Sequence, residues 1–185
     1  GHGAALKNDG TAYAWGWGAR GQLGNGAENN QSTPVRCGSL SGISKIVCGY
    51  AQTYALMENG TVYAWGRDDY GCLGLGGVSQ QNAPVQITSI TNAADIAAAH
   101  YSTAIVLENG KVKTFGRNNY GQLGITYSED NRTFKSDPQD AKLPNNVAIT
   151  KIAAGAYHFM MIDSDNNLIT MGNNDFFQVD DGTTL

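Results

Sequence analysis

Gly16-Trp17-Gly18-Ala19-Arg20-Gly21 carries the G-x-G-x-x-G spacing, which in a βαβ unit lets the backbone approach a dinucleotide pyrophosphate at a helix N-terminus. That chemistry requires a helix directly afterwards, and Gln22-Leu23-Gly24-Asn25-Gly26 is a poor helix start, so no nucleotide cofactor is expected. Asp163-Ser164-Asp165-Asn166-Asn167 opens like a calcium loop. Leu168 stands where such a loop needs its glycine and Asn174 where it needs its closing glutamate, so a hairpin turn is the better reading. His2, His100 and His158 fall at no metal-ligand spacing, and no nucleophile, base and carboxylate recur together, so neither a metal site nor a triad is expected. Asn30-Gln31-Ser32, Asn59-Gly60-Thr61 and Asn131-Arg132-Thr133 fit a glycosylation acceptor, a pattern that matters only in a eukaryotic secretory route.

What organises the chain is a repeat. Trp15-Gly16 is followed by Gly21-Gln22-Leu23-Gly24, Trp65-Gly66 by Gly71-Cys72-Leu73-Gly74, and Phe115-Gly116 by Gly121-Gln122-Leu123-Gly124, at two intervals of 50 residues. A worn copy follows 56 residues on, with Met171-Gly172 and Phe177-Gln178-Val179-Asp180. Fixed self-similarity at this length marks a solenoid, propeller or array.

Aligned by this interval, Ile46, Ile96 and Ile152 precede small residues, as in a strand closely approached by other backbones. A second run, such as Thr53-Tyr54-Ala55-Leu56 or Thr103-Ala104-Ile105-Val106, is apolar on both faces, as in a strand between sheets. Asp9-Gly10, Asn59-Gly60, Asn109-Gly110 and the degraded Asp165-Asn166 then predict a hairpin, of type I′ with both central residues at φ > 0. The returning strands end at Trp15, Trp65, Phe115 and Met171 and alternate with period two. Pro34-Val35-Arg36-Cys37 and Pro84-Val85-Gln86-Ile87 give a fourth, outer strand. The third copy is six residues longer, within 125–144, and its polar stretch Ser128 to Lys135 predicts a protruding loop. Four short antiparallel strands per repeat make an all-β propeller of four-stranded blades.

The phrase G-x-x-H-x-x-x-L…N-G-x-V-Y-x-W-G-x-x-x-x-G-Q-L-G…P-V resembles the repeat of the regulator of chromosome condensation (RCC1) family, across essentially the whole chain. The resemblance implies a seven-bladed ring used for protein recognition and, in one branch, guanine-nucleotide exchange on a small GTPase. The repeat units run approximately 1–48, 49–98, 99–154 and 155–185. They supply fourteen strands, about three and a half blades, so the expectation is a piece of a larger ring. Two copies closing one ring as a homodimer, or a small four-bladed ring, are the alternatives. The family also resembles a plant-type tryptophan light sensor, but Trp15, Trp17 and Trp65 lie in no G-W-R-H context.

The 185 residues carry a net charge of −4, and 15% are charged, with 24 glycines against four prolines. That balance excludes a general affinity for nucleic acid, and no apolar run is long enough for membrane insertion as a helix. Three cysteines cannot all pair within the chain, which favours a reducing compartment such as the cytoplasm, although a secreted or surface-attached protein is compatible. Cys37, Cys48 and Cys72 sit in columns of small or polar residues and read as fillers rather than nucleophiles.

Between the two halves of the repeated phrase lie Trp17-Gly18-Ala19-Arg20, Arg67-Asp68-Asp69-Tyr70, Arg117-Asn118-Asn119-Tyr120 and Asn173-Asn174-Asp175-Phe176. These loops should gather on one rim, rich in the aromatic and Arg side chains that dominate interface energetics. Tyr70, Tyr120 and Phe176 recur at one place and read as braces for the next blade. Trp17, Arg20, Arg67, Asp68 and Arg117, with Arg132 and Phe134 from the longer third copy, are the candidate partner contacts. The expected function is a non-catalytic scaffold that binds another protein. Guanine-nucleotide exchange on a small GTPase and inhibition of a secreted enzyme are the alternatives.

Overall fold

Fourteen strands run through the chain in the computed structural model, which describes residues 1–125, 133–144 and 147–179. They are β1 (His2–Leu6), β2 (Ala12–Gly16), β3 (Gln31–Arg36), β4 (Ile43–Cys48), β5 (Gln52–Met57), β6 (Val62–Gly66) and β7 (Gln81–Gln86). The second half holds β8 (Ala93–Ala98), β9 (Ser102–Leu107), β10 (Val112–Arg117), β11 (Phe134–Asp140), β12 (Ile149–Ala154), β13 (His158–Asp163) and β14 (Leu168–Gly172). The sheets are β1-β2-β3, β4-β5-β6-β7, β8-β9-β10-β11 and β12-β13-β14, antiparallel throughout. β1 lies against β4, β4 against β8 and β8 against β12, so successive blades follow an arc. The strand count is the one the repeat implies. It is dealt into two complete four-stranded sheets and two of three strands among the described residues, which fits about three and a half blades.

Burial explains the two-faced hydrophobicity of the second strands. β9 is buried along its whole length and β5 at all but its last residue, because each lies between neighbouring blades. Three apolar clusters fill the gaps between consecutive sheets. Leu23, Cys37, Ile43 and Trp65 belong to the first, Tyr54, Leu73, Ile96 and Phe115 to the second, and Val112, Ile152, Phe159 and Met161 to the third.

The G-x-L-G loop is a clasp onto the following blade as well as an exit from its own. Leu23, Leu73 and Leu123 are fully buried. Gly24 lies so close to Trp65 that an added Cβ would sit 2.5 Å from the indole nitrogen, and at Gly74 it would sit 2.8 Å from the Phe115 ring. The Trp65 indole and the Thr53 hydroxyl both donate to the Gln22 carbonyl, at 3.0 and 2.7 Å. The worn fourth copy keeps the backbone: Phe177 takes φ 62° where the others have glycine, and Val179 is buried in place of Leu.

The hairpins differ from the type I′ expectation. Gly10, Gly60 and Gly110 have φ of 75–78°, but Asp9, Asn59 and Asn109 are not left-handed. Their side chains instead accept the backbone N–H two residues on, at 3.0–3.1 Å, and that is why Asp and Asn recur there. The turn is therefore type I followed by a left-handed residue. In the fourth copy Asn166 takes this place at φ 65°. Each turn also meets the next blade, where Ile43, Ala93 and Ile149 donate their N–H to the carbonyls of Gly10, Gly60 and Gly110 at 2.9–3.0 Å. At Gly110 an added Cβ would lie 2.5 Å from that of Ala148. Gly110→Ala is therefore expected to destabilise the protein by about 1–3 kcal/mol, read by urea unfolding.

In the longer third copy, Phe134 and Lys135 belong to β11 and continue the outer strand, so the extra loop ends before them. Thr133, just before them, accepts the Asn118 N–H at 3.0 Å, and the remainder of the expected loop, Ser128 to Arg132, lies outside the described residues.

Candidate functional site

Each blade sends two connections to the same end of its sheet. One is the tight turn from the first strand to the second, at 49–51, 99–101 and 155–157. The other is the loop leaving the third strand after Gly16, Gly66, Gly116 and Gly172. The tight turn closes because its first residue is small. At Gly49 a Cβ would meet the Gln52 amide at 2.6 Å. Gln52 accepts the Ala51 N–H at 2.9 Å and donates to the His100 carbonyl of the next blade at 2.9 Å. Gln52 thus bridges adjacent turns, at a place that His2, Ser102 and His158 hold in the other repeats. His2 does the same across one blade, its Nε2 lying 2.8 Å from the Thr53 hydroxyl, and burial brings its imidazole down to about 4.

On this floor stands a continuous run of rings. Trp17 meets Tyr50 edge-on at 6.1 Å, Tyr50 leans on His100 at 4.2 Å, and His100 stacks on Tyr101 at 4.6 Å with the planes 7° apart. Tyr70 packs against Tyr101 at 5.1 Å and Phe134 at 6.5 Å, and Tyr120 against Tyr157 at 5.5 Å. Arg67 lies over the Tyr101 ring at 5.5 Å and Arg117 over Tyr70 at 5.3 Å. Both are in the range where a guanidinium is held by the ring quadrupole.

Arg67 is neutralised locally. It pairs with the Asp69 carboxylate, its Nε donating at 2.6 Å, and its Nη1 reaches the Tyr101 hydroxyl at 3.3 Å. The hydrogen bonds from Arg67 hold the Asp69 carboxyl below its ordinary value. His100 is half-buried between rings, and its Nδ1 lies 2.9 Å from the Tyr157 hydroxyl. Burial first, then the charges of Arg117 and Arg67, lower its pKa, so the imidazole is neutral at physiological pH.

Of the residues singled out in the sequence, Trp17, Arg67 and Arg117 join this run, Arg20 is exposed beside it, and Phe134 stands at its outer edge. Asp68 does not reach the surface. It is 1% exposed and its Oδ1 accepts the Leu73 N–H at 2.9 Å, so it holds the G-x-L-G clasp closed from within. Asn118 and Asn174 do the same for Leu123 and Val179 at 3.0 Å. Arg132 lies outside the described residues. Among the recurring loop aromatics Tyr70 and Tyr120 brace the next blade through Tyr101 and Tyr157, with Tyr120 still 40% exposed, and Phe176 is 86% exposed.

The sequence reading missed Tyr50, Tyr101 and Tyr157 as part of the rim. They immediately follow the small-residue strands, and that placement at the end of a first strand was their signal. The cysteines stay inert: burial pushes Cys37 up to about 12 and Cys48 to about 11, and raises Cys72 further. Asp163, first of the calcium-like segment, accepts the Asp165 and Asn167 backbone N–H groups at Oδ1, at 2.9 and 2.8 Å, and the Asn167 side-chain amide at Oδ2, at 2.9 Å, as a turn does. What the rim offers is ring faces, phenol hydroxyls and guanidinium groups, side-chain types enriched at recognition surfaces.

A family model described as the regulator of chromosome condensation (RCC1) repeat matches residues 9–56, 59–106 and 109–162. A second model of the same repeat matches 43–72, 93–122 and 149–178. The ultraviolet-B receptor UVR8 of Arabidopsis thaliana is 39% identical over 57 residues, covering 30% of this chain and 13% of that protein. The structure of Kap60 bound to yeast RCC1 (Prp20) superposes with a TM-score of 0.83 at 26% identity, covering 96% of this chain and 41% of that one. The structure of Prp20p from Saccharomyces cerevisiae, described with its binding to Gsp1p and histones, gives 0.80 at 26%, covering 96% and 43%. The chain thus spans less than half of these solved relatives and a smaller part of the curated one.

Proposed function

Because the chain belongs to the regulator of chromosome condensation (RCC1) repeat family, we propose that it is part of a propeller scaffold that binds another protein through the aromatic and arginine rim, without bond chemistry. The observation that carries this reading is the unbroken run of rings from Trp17 through Tyr50, His100 and Tyr101 to Tyr70 and Phe134, which crosses three blades on one end of the sheets. Large amphipathic rings held in place by their neighbours lose little entropy when a partner covers them. Residues 1–185 in this reading are one segment of a larger ring, with the repeat units at approximately 1–48, 49–98, 99–154 and 155–185.

A photo-crosslinking residue placed at Tyr50 is expected to trap a discrete protein adduct in cells, and the same residue at Asn59, on the hairpins of the opposite end, is not. Adducts from Asn59 alone would overturn the reading. Guanine-nucleotide exchange on a small GTPase is the second reading, favoured by the solved relative described with its binding to Gsp1p. Nucleotide release measured across a panel of small GTPases separates the two: acceleration by this protein makes it an exchange factor.

A further inference from the structure

Within the rim, Arg67 and Arg117 occupy the same position one repeat apart, yet their circumstances differ. Two residues after Arg67 comes Asp69, which takes up its charge; two residues after Arg117 comes Asn119, which cannot. Among the described residues no carboxylate pairs with Arg117, and its Nε is buried without a hydrogen-bond partner. The Nε itself is enclosed, so a ligand would meet the guanidinium from the solvent side of this half-buried side chain, where its charge has no described carboxylate to answer it. The group is held in place by the Tyr70 ring at 5.3 Å and by its own backbone N–H, which donates to the Tyr101 carbonyl at 2.8 Å. Beside it stand the His100 and Tyr101 stack and Phe134.

We propose that Arg117, backed by Tyr70, is the anchor for a carboxylate on an acidic, aromatic-containing segment of the protein partner. This inference rests on the rim being the binding face. Charge is locally uneven: the described rim loops hold Arg20, Arg67 and Arg117 with Asp68, Asp69 and Asp175, but Asp68 is buried, Asp69 answers Arg67 and Asp175 belongs to the fourth blade. A planar fork already stacked on a ring is preorganised for bidentate carboxylate recognition. With few basic residues and acidic ones among them, the same surface is a poor match for a phosphate backbone.

The test uses the whole chain and short fluorescent peptides of repeated Glu-Tyr, Gln-Tyr or Lys-Tyr, with a DNA duplex as a fourth probe, at low salt. The Glu-Tyr peptide is expected to bind best and to weaken as salt rises. Arg117→Gln is expected to weaken it about tenfold. Asn119→Asp keeps the arginine but supplies the partner that Asp69 gives Arg67, and it should weaken binding to a similar degree. Asp69→Asn frees Arg67 and should tighten it. Arg36→Gln, on the outer strand β3, should have no effect.

Equal loss in Arg36→Gln, tighter binding of the Lys-Tyr peptide or DNA, or no peptide binding at all would overturn the inference. Equal binding of the Gln-Tyr peptide, still dependent on Tyr50, would overturn the carboxylate anchor while leaving the rim as the binding face. Failure of the rim itself is read separately, by crosslinking from Asn59 rather than Tyr50.

Discussion

Trp65→Ala is expected to unfold the protein at much lower denaturant, with a loss of about 3–5 kcal/mol. Trp65 is fully buried in the cluster between the first and second blades, the Gly24 backbone lies flat against it, and its indole N–H donates to the Gln22 carbonyl at 3.0 Å. Truncation removes the largest side chain in that gap and leaves a cavity that the clasp cannot close over, because the loop is held by its own turns. Trp65→Phe should cost far less, about 1–2 kcal/mol. Phe115 fills the corresponding place beneath Gly74 without an indole N–H, and in the variant the Thr53 hydroxyl would still satisfy the Gln22 carbonyl. In repeat proteins stability is largely a sum of unit and nearest-neighbour terms, so the damage should concentrate at the first interface. Hydrogen exchange can locate it: protection should fall in β1, β2 and β5 before it falls in β9 and β13. Equal losses for the Ala and Phe variants would mean that the clasp does not bear on this ring.

Asp68→Asn is expected to stabilise the protein at pH 8 by about 2–4 kcal/mol and to change nothing near pH 4. Burial outweighs the Leu73 and Ser79 backbone N–H groups and pushes this carboxyl from 3.8 up to about 7. Between those two values the folded protein holds a proton that the unfolded chain has released. Stability contributed by the neutral carboxyl is therefore full below about pH 4, falls as the pH rises, and levels off above about pH 7. The negative charge of Asp69 beside it acts in the same direction. Asparagine keeps the acceptor for Leu73 and has no proton to lose, and the fold already uses it at Asn118 and Asn174. Urea unfolding of both proteins from pH 4 to pH 8 should give curves that meet at the acid end and part at the alkaline end. Parallel curves would mean that burial does not raise the Asp68 pKa.

The two residues at this position show how differently the same column can be legible. The run Arg67-Asp68-Asp69 looks in the sequence like a charged, exposed loop, and Asp68 was therefore expected to touch a partner. Aligned with Asn118 and Asn174, it is one of three side chains that take the same backbone N–H. A local sequence window cannot separate those roles, because the burial of Asp68 comes from the clasp folding over it and from the neighbouring blade. Asp69, one residue on, keeps the exposed role and sets the charge state of Arg67.

The 50-residue interval, the period-two columns and the Asp-Gly or Asn-Gly turns determine the blade by themselves, since backbone geometry and alternating burial are written locally. The repeat also identifies Leu23, Leu73 and Leu123 as the buried side chains and their glycines as the permissive backbone of so short a loop. Only the tertiary structure decides what those loops grip. The contact of Gly24 with Trp65 joins residues of different blades, and its strength depends on how the sheets are set against each other. The rim is decided in the same way. Trp17, Tyr50, His100 and Tyr101 lie tens of residues apart and become one surface when the arc of blades brings their turns to the same end. The contrast between a neutralised Arg67 and an Arg117 with no carboxylate partner among the described residues follows from that assembly. The residue types two places on are visible in the sequence, but only the folded rim shows which guanidinium is left with an unanswered N–H.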